Sequence, residues 1–148
     1  MPKSINLGNG TTLVGFDKFG QVKDFYFDYA GLENHVGEHL THKIGIWLED
    51  KFSWLDDGSW EICVSSSKDT LASDINAKNS AFGIELNFTD VVYNEKDILI
   101  REVKVKNLFD RRRDVKLYFN QQFNISQTDI GETAYFDPRG NVIIHYKG

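Results

Sequence analysis

The feature that most constrains the fold is a series of short apolar runs separated by turn-forming residues. In such runs, alternation of apolar and polar residues places one face of a β-strand on a core. Ile44, Ile46 and Leu48 alternate in this way, which puts Gly45 and Trp47 on the opposite face. No window of about 11 residues carries the apolar stripe of an amphipathic helix. The pattern predicts an all-β antiparallel sandwich or barrel with almost no helix.

Turn signals divide the chain into candidate strands, and the first and last pairs form hairpins around residues 17–20 and 138–141. In the run 97–106 the apolar parity changes across Arg101 and Glu102, which predicts a bulge or a strand that passes from one core to another. The predicted strands are 11–16, 21–27, 43–48, 52–55, 60–64, 70–75, 81–88, 97–106, 115–125 and 142–146.

The length and net charge of the chain limit the classes of function that it can have. The 148 residues fit a single domain with a sizeable core. A net charge of -5 argues against a nucleic-acid partner, which needs a basic face. The chain has no membrane-length apolar run and no apolar stretch near its first residues, so we expect a cytoplasmic protein without a membrane partner. The single cysteine, Cys63, lies in a predicted strand.

Residues 29–42 form a polar, glycine-punctuated segment that contains three of the four histidines. His35, His39 and His42 make an H-x3-H-x2-H array, which suggests a metal site, but Gly37 interrupts any helix that would align the rings. Hydrogen bonding within the loop, or contact with a ligand or neighbouring domain, explains the histidines better. We therefore predict no metal and no cofactor, and take Glu33, Asn34, His35 and His39 as contact candidates.

The tryptophans allow two interpretations. Trp47, Trp54 and Trp60 are spaced six or seven residues apart on predicted hairpin strands. Exposed on a flat sheet they would offer a platform on which sugar rings stack, with Trp47 and Trp54 as the candidates. Tryptophan on hairpin strands also packs in cores and interfaces, and the sequence leaves both interpretations open.

The acidic run 127–138, with Asp129, Glu132 and Asp137, could supply paired carboxylates. Glycoside hydrolysis needs two carboxyl groups at a defined separation, and sequence spacing does not give that separation. Nucleophile patterns built on Ser, Cys or His are absent from the sequence.

Several motifs together resemble one family. The chain closely resembles the N-terminal region of prokaryotic glycoside hydrolase family 15 proteins, which include glucoamylase, glucodextranase and trehalase-like enzymes. The motifs that carry this resemblance are Gly8-Asn9-Gly10, Gly31-Leu32-Glu33-Asn34-His35-Val36-Gly37, Gly45-Ile46-Trp47, Phe52-Ser53-Trp54-Leu55-Asp56-Asp57, Thr128-Asp129-Ile130-Gly131-Glu132-Thr133-Ala134, Asp137-Pro138 and His145-Tyr146-Lys147-Gly148.

The resemblance implies an antiparallel β-supersandwich, of the galactose-mutarotase-like type, that precedes a catalytic (α/α)6 toroid. In the family that toroid carries both catalytic glutamates. This chain has no such helical region, so the resemblance transfers no catalytic residue. It implies a single non-catalytic domain over residues 1–148, or part of one, that packs against the toroid of an enzyme acting on α-glucosidic bonds. The segments 29–42 and 128–137 would then meet the toroid or the rim of its active site, with Asp129, Glu132 and Asp137 as contact candidates.

The expected partners are this catalytic toroid and an oligo- or polysaccharide of glucose. A free-standing carbohydrate-binding module with Trp47 or Trp54 as platform is the alternative. Unpaired strand edges also favour association between copies, so we expect a homo-oligomer.

Overall fold

The computed structural model describes residues 4–36, 42–126 and 130–148, and these form twelve β-strands without a helix. None of the described segments is therefore a helix long and apolar enough to cross a membrane. The strands are β1 (Ile5–Gly8), β2 (Leu13–Phe16), β3 (Val22–Tyr26), β4 (Lys43–Leu48), β5 (Lys51–Trp54), β6 (Glu61–Ser66), β7 (Ser73–Asn79), β8 (Ile84–Val92), β9 (Leu99–Asn107), β10 (Val115–Asn120), β11 (Glu132–Asp137) and β12 (Val142–Lys147).

Two antiparallel sheets face each other and enclose the main core. One contains three strands in the order β10-β4-β5, and the other contains four in the order β6-β7-β8-β9. Ile44, Ile46 and Leu48 of β4 pack against Ile75 of β7 and Leu86 of β8. The alternation in β4 places Trp47 on the outer face, so the expected all-β antiparallel sandwich is confirmed.

A third sheet, in the order β1-β2-β3, covers a second core. Its strand β1 was not predicted, while the predicted hairpin is β2 and β3 around the turn at 17–20. Val14 and Phe16 are fully buried in this second core, where Val92 and Leu99 of the four-stranded sheet pack against it. The four-stranded sheet therefore contributes to both cores.

The predicted bulge in the strand 97–106 is wrong, because β8 and β9 pair without a break from Ile84↔Asn107 to Val92↔Leu99. The alternative interpretation holds, since Leu99 packs on the second core and Val103 on the main core. Arg101 occupies the inward-facing position between them. The apparent change of parity arose because this interior position carries a charged residue, while Ile98 and Ile100 are apolar residues of the opposite parity that are 45% and 48% exposed.

Several predicted boundaries also differ. The strand predicted at 115–125 ends at Asn120, because its partner β4 begins at the opposite residue, Lys43. The strands predicted at 70–75 and 81–88 lie further along the chain as β7 and β8, on either side of a turn in which Gly83 has a φ of 60°. The segment expected as a loop at 128–137 is strand β11 from Glu132 onward.

Strands β11 and β12 form a two-stranded hairpin that belongs to no larger sheet among the described strands. The turn at 138–141 joins them as predicted, and the hydrogen bond from the Arg139 amide to Asp137 Oδ1, at 2.9 Å, closes it. The base of the hairpin contacts the segment 121–126, because Glu132 Oε1 accepts a hydrogen bond from the Ile125 amide at 2.8 Å.

Candidate functional site

Asn34 organises the start of the histidine-bearing loop. Its side-chain oxygen accepts hydrogen bonds from the backbone amides of Phe25 and Val36, at 3.0 and 3.1 Å. Its amide group donates to Asp24 Oδ1. Asn34 therefore holds the loop against β3, and its side chain already makes three hydrogen bonds within the chain. Glu33, next to it, is half-exposed.

His35 and His42 both contact the segment that follows β10. His35 Nδ1 lies 2.7 Å from the carbonyl oxygen of Asn124, and its Nε2 lies 3.1 Å from that of Phe27. His42 is buried, with Nε2 3.0 Å from the carbonyl oxygen of Gln122. Burial lowers the pKa of His42, and the positive charge of Arg101 adds to this effect. The two histidines hold the segment 121–126 against the sandwich.

The geometry of these histidines does not favour a metal site. Three of their ring nitrogens already lie at hydrogen-bonding distance from carbonyl oxygens. Among residues 4–36, 42–126 and 130–148, no group of three His, Cys, Asp or Glu side chains could hold a metal ion. His39, the central member of the array, lies outside the described residues.

Glu132 and His145 form a hydrogen bond at the base of the hairpin. Glu132 Oε2 lies 3.0 Å from His145 Nε2, and Oε1 accepts a hydrogen bond from the Ile125 amide at 2.8 Å. This backbone hydrogen bond, with the His145 interaction in addition, lowers the pKa of the Glu132 carboxyl below its usual range. The carboxylate is therefore ionised at neutral pH. A general acid in glycoside hydrolysis needs the opposite shift.

Glu132 and Asp137 do not form a catalytic carboxylate pair. They stand five residues apart at the two ends of β11, so about 17 Å separates them along the strand. Their positions also differ in parity, which points their side chains to opposite faces of the hairpin. Asp137 caps the hairpin turn. Asp129 lies outside the described residues.

A cleft lies between the hairpin base and the segment 121–126. It consists of two adjoining concavities of about 510 and 580 Å³. Both are lined by Phe123, Asn124, Ile143 and His145. His35 borders the first and Glu132 borders the second. The structure thus brings the histidine-bearing loop and the acidic run to one cleft, although the sequence separates them by almost 100 residues.

Trp60 belongs to the core. Its ring is buried, and its indole N–H donates to Ser53 Oγ at 2.8 Å. This position excludes Trp60 from any sugar-stacking platform. It stabilises the connection between β5 and β6 instead.

Trp47 and Trp54 lie half-buried on the outer face of the three-stranded sheet. Trp54 pairs with Gly45, and Phe52 pairs with Trp47. Tyr118 pairs with Gly45 from the other side, so all these side chains share one face. Phe52 packs edge-to-face on Trp54, with ring centroids 4.7 Å apart, and on Tyr118, at 5.5 Å.

Sequence reasoning missed three of the residues that shape these surfaces. Phe52 and Tyr118 join the outer aromatic group, and His145 joins the cleft. The matching parity of Phe52 and Trp54 within one strand could have indicated a shared face. Nothing local could have identified Tyr118 or His145, because cross-strand pairing brings them in.

The comparisons with known proteins give one curated relative. Over 142 residues, the chain is 25% identical to a protein of Methanocaldococcus jannaschii that is described as an uncharacterized glycosyl hydrolase. The alignment covers 96% of this chain and 22% of that protein, so the chain spans about a fifth of the relative's length. No family model matches the chain, and no solved structure matches it. The chain is therefore a β-sandwich that is similar, along nearly its whole length, to part of a longer protein described as an uncharacterized glycosyl hydrolase.

Proposed function

We propose that this chain is the non-catalytic β-sandwich of a glycoside hydrolase of the family 15 type, and that it supports a catalytic (α/α)6 toroid acting on α-glucosidic bonds. The observation that carries this proposal is the apolar hairpin of β11 and β12. Large apolar side chains are exposed on both of its faces, which a solvent-facing ribbon does not require.

Cross-strand pairing defines the two faces of this hairpin. Phe136 and Ile143 are opposite each other on one face, and they are 57% and 76% exposed. Tyr135 and Tyr146 share the other face and are each about half exposed. An isolated two-stranded hairpin is marginal in water, so this one needs a surface on either side for stability. A neighbouring domain of the same enzyme would supply that surface.

The cleft at the base of the hairpin supports the same proposal. The two segments expected at the rim of the catalytic domain border this one cleft, through His35 and Glu132. Two carboxyl groups border the cleft, those of Asp97 and Glu132, and hydrogen bonds lower the pKa of both, whereas a general acid in glycoside hydrolysis needs a raised pKa. A contact surface explains this arrangement better than an active site. Glu33, Asn34, His35, His39, Asp129, Glu132 and Asp137 remain the candidate contact residues.

The length of the relative is a further support. A glycosyl hydrolase to which this chain aligns over only 22% of its length has room for a separate catalytic region. By analogy, the activity and the glucan substrate belong to the whole enzyme.

An activity assay tests the non-catalytic role. The purified chain, incubated with maltooligosaccharides, should release no glucose. The parent enzyme, with the toroid present, should release it under the same conditions. Turnover by the chain alone would overturn the proposal.

The interface is tested in the parent enzyme by Ile143→Asp. An aspartate at this position would bury an unpaired charge if the hairpin is covered, which should lower the melting temperature and loosen the two domains toward protease. Leu71→Asp is the matched control, because Leu71 is 82% exposed and lies outside the hairpin. Equal effects of the two substitutions would contradict the interface.

Without the catalytic domain, the same apolar hairpin and the open strand edges favour association between copies. We therefore expect a dimer or larger assembly of the isolated chain in sedimentation velocity. A monomer at high concentration would refute this expectation.

A further inference from the structure

We propose that the outer face of the β10-β4-β5 sheet binds a linear oligosaccharide of pyranose units. The binding surface, here called the aromatic face, consists of Trp47, Phe52, Trp54 and Tyr118. It is distinct from the hairpin and the cleft, so the inference does not rest on the proposed supporting role. A result that refutes oligosaccharide binding would not refute the supporting role, and a result that refutes the supporting role would not refute oligosaccharide binding.

The aromatic face is fixed before any ligand arrives. Phe52 packs edge-to-face on both Trp54 and Tyr118. Gly45 provides the space for this arrangement, since a Cβ there would lie 2.7 Å from Trp54 Cε3 and closer still to the Phe52 ring. The φ of Gly45 is not positive, so the need is for space and not for an unusual backbone. Fixed rings lose little conformational entropy on binding.

The surface remains open to solvent although it is rich in aromatic carbon. Phe52 is 43% exposed and Tyr118 is 44% exposed, while Trp47 and Trp54 are half-buried. The apolar C–H face of a pyranose ring gains from burial against aromatic rings of this kind. The three strands extend for about 10 Å across the sheet, which suits a chain of sugars better than a single ring.

Charged groups around the aromatic face favour a polyhydroxylated ligand. Lys116 Nζ lies 4.6 Å from the centroid of the Trp47 ring. Lys43 Nζ lies 6.0 Å from that of Trp54 and forms a 2.8 Å ion pair with Asp56. Sugar hydroxyls both donate and accept hydrogen bonds, so they can satisfy ammonium and carboxylate groups together. A protein partner would have to desolvate these lysines, and lysine is depleted from interface cores.

The indole N–H groups of the three tryptophans can report on sugar binding. In a ¹⁵N-labelled sample each gives a separate indole N–H resonance, and Trp60 serves as an internal control because its ring is buried in the core. Maltohexaose and cellohexaose, each titrated to about 10 mM, should shift the Trp47 and Trp54 signals saturably and leave the Trp60 signal in place. The preferred hexasaccharide identifies the linkage.

A matched pair of variants separates specific binding from a general effect. Tyr118→Ala should weaken binding about tenfold, because one stacking surface is lost. Tyr29→Ala removes an equally large exposed ring outside the aromatic face and should leave the affinity unchanged. Gly45→Ala should abolish the shifts by displacing Phe52 and Trp54, with the Trp60 signal reporting an intact core.

Three results would overturn the inference. The first is the absence of saturable shifts with either hexasaccharide. The second is equal movement of all three indole signals, which would indicate a non-specific effect. The third is a shift that follows protein concentration without sugar, which would identify the face as a contact between copies of the chain.

Discussion

Replacement of Arg101 by methionine provides the sharpest test of how this sandwich is held together. Asp90 is completely buried, and its carboxylate accepts hydrogen bonds from Arg101 Nε at 2.5 Å and Nη2 at 3.0 Å. Arg101 Nη2 also donates to the carbonyl oxygen of Gly20, at 2.8 Å. Ser73 Oγ donates to the same carboxylate at 2.7 Å. Arg101 thus joins β8 and β9 to the turn between β2 and β3 of the third sheet.

The size of the expected loss of stability follows from the groups that remain in the core after Arg101→Met. Methionine fills much of the same volume, so the loss of stability comes from the buried carboxylate of Asp90. Among the described residues, this carboxylate then keeps Ser73 as its side-chain hydrogen-bond donor. Removal of one partner from a buried ion pair costs about 3–5 kcal/mol. For a chain of this size that corresponds to a fall of roughly 6–20 °C in the melting temperature. Such a loss is a large share of the 5–15 kcal/mol that typically stabilises a domain.

Circular dichroism during urea and thermal unfolding measures this effect. Arg111→Met is the control, because Arg111 pairs with Glu49 at 2.6 Å while both side chains are well exposed, at 62% and 44%. Such a pair contributes at most about 1 kcal/mol. Addition of Asp90→Asn to Arg101→Met should recover part of the loss, since the amide carries no charge and still accepts from Ser73. If Arg101→Met costs no more than Arg111→Met, the importance of the buried pair is refuted.

Two further predictions concern His42 and Gly20. Burial holds the pKa of His42 below its unfolded value of 6.5, so the unfolded chain binds the proton more readily and the free energy of unfolding should fall as pH drops from 6.5 toward the lowered pKa. His42→Gln should make the denaturation midpoint less dependent on pH between about pH 5 and 7. The same pH dependence in the variant and the original chain would contradict the role given to His42. Gly20→Ala should destabilise the chain by about 1–3 kcal/mol, because φ is 71° and the added Cβ would lie 2.9 Å from Ile75 Cγ2. Gly10→Ala, at a φ of 106° with no atom within 4 Å, is the control for backbone strain alone, and equal losses in thermal unfolding would refute the packing argument.

The sequence by itself determined the strands whose side chains alternate clearly. Ile44, Ile46 and Leu48 predicted β4 and its inward face, and the turns at 17–20 and 138–141 predicted two hairpins. These features depend on strand geometry and turn chemistry, which act over a few residues. The absence of helix from the described residues follows from the same local pattern.

The tertiary structure decided which partner each strand face meets. Arg101 looked like a break in an apolar run, yet it occupies an interior position because Asp90 on the neighbouring strand neutralises it. Three similar tryptophans separated into one core residue, Trp60, and two on the outer face, because each sheet has only one side toward the core. Glu132 is unsuited to act as a catalytic acid, because hydrogen bonds with His145 and the Ile125 amide favour its ionised form. Local sequence specifies the alternation of side chains along a strand, but the packing of distant strands determines which side is buried and which charges meet.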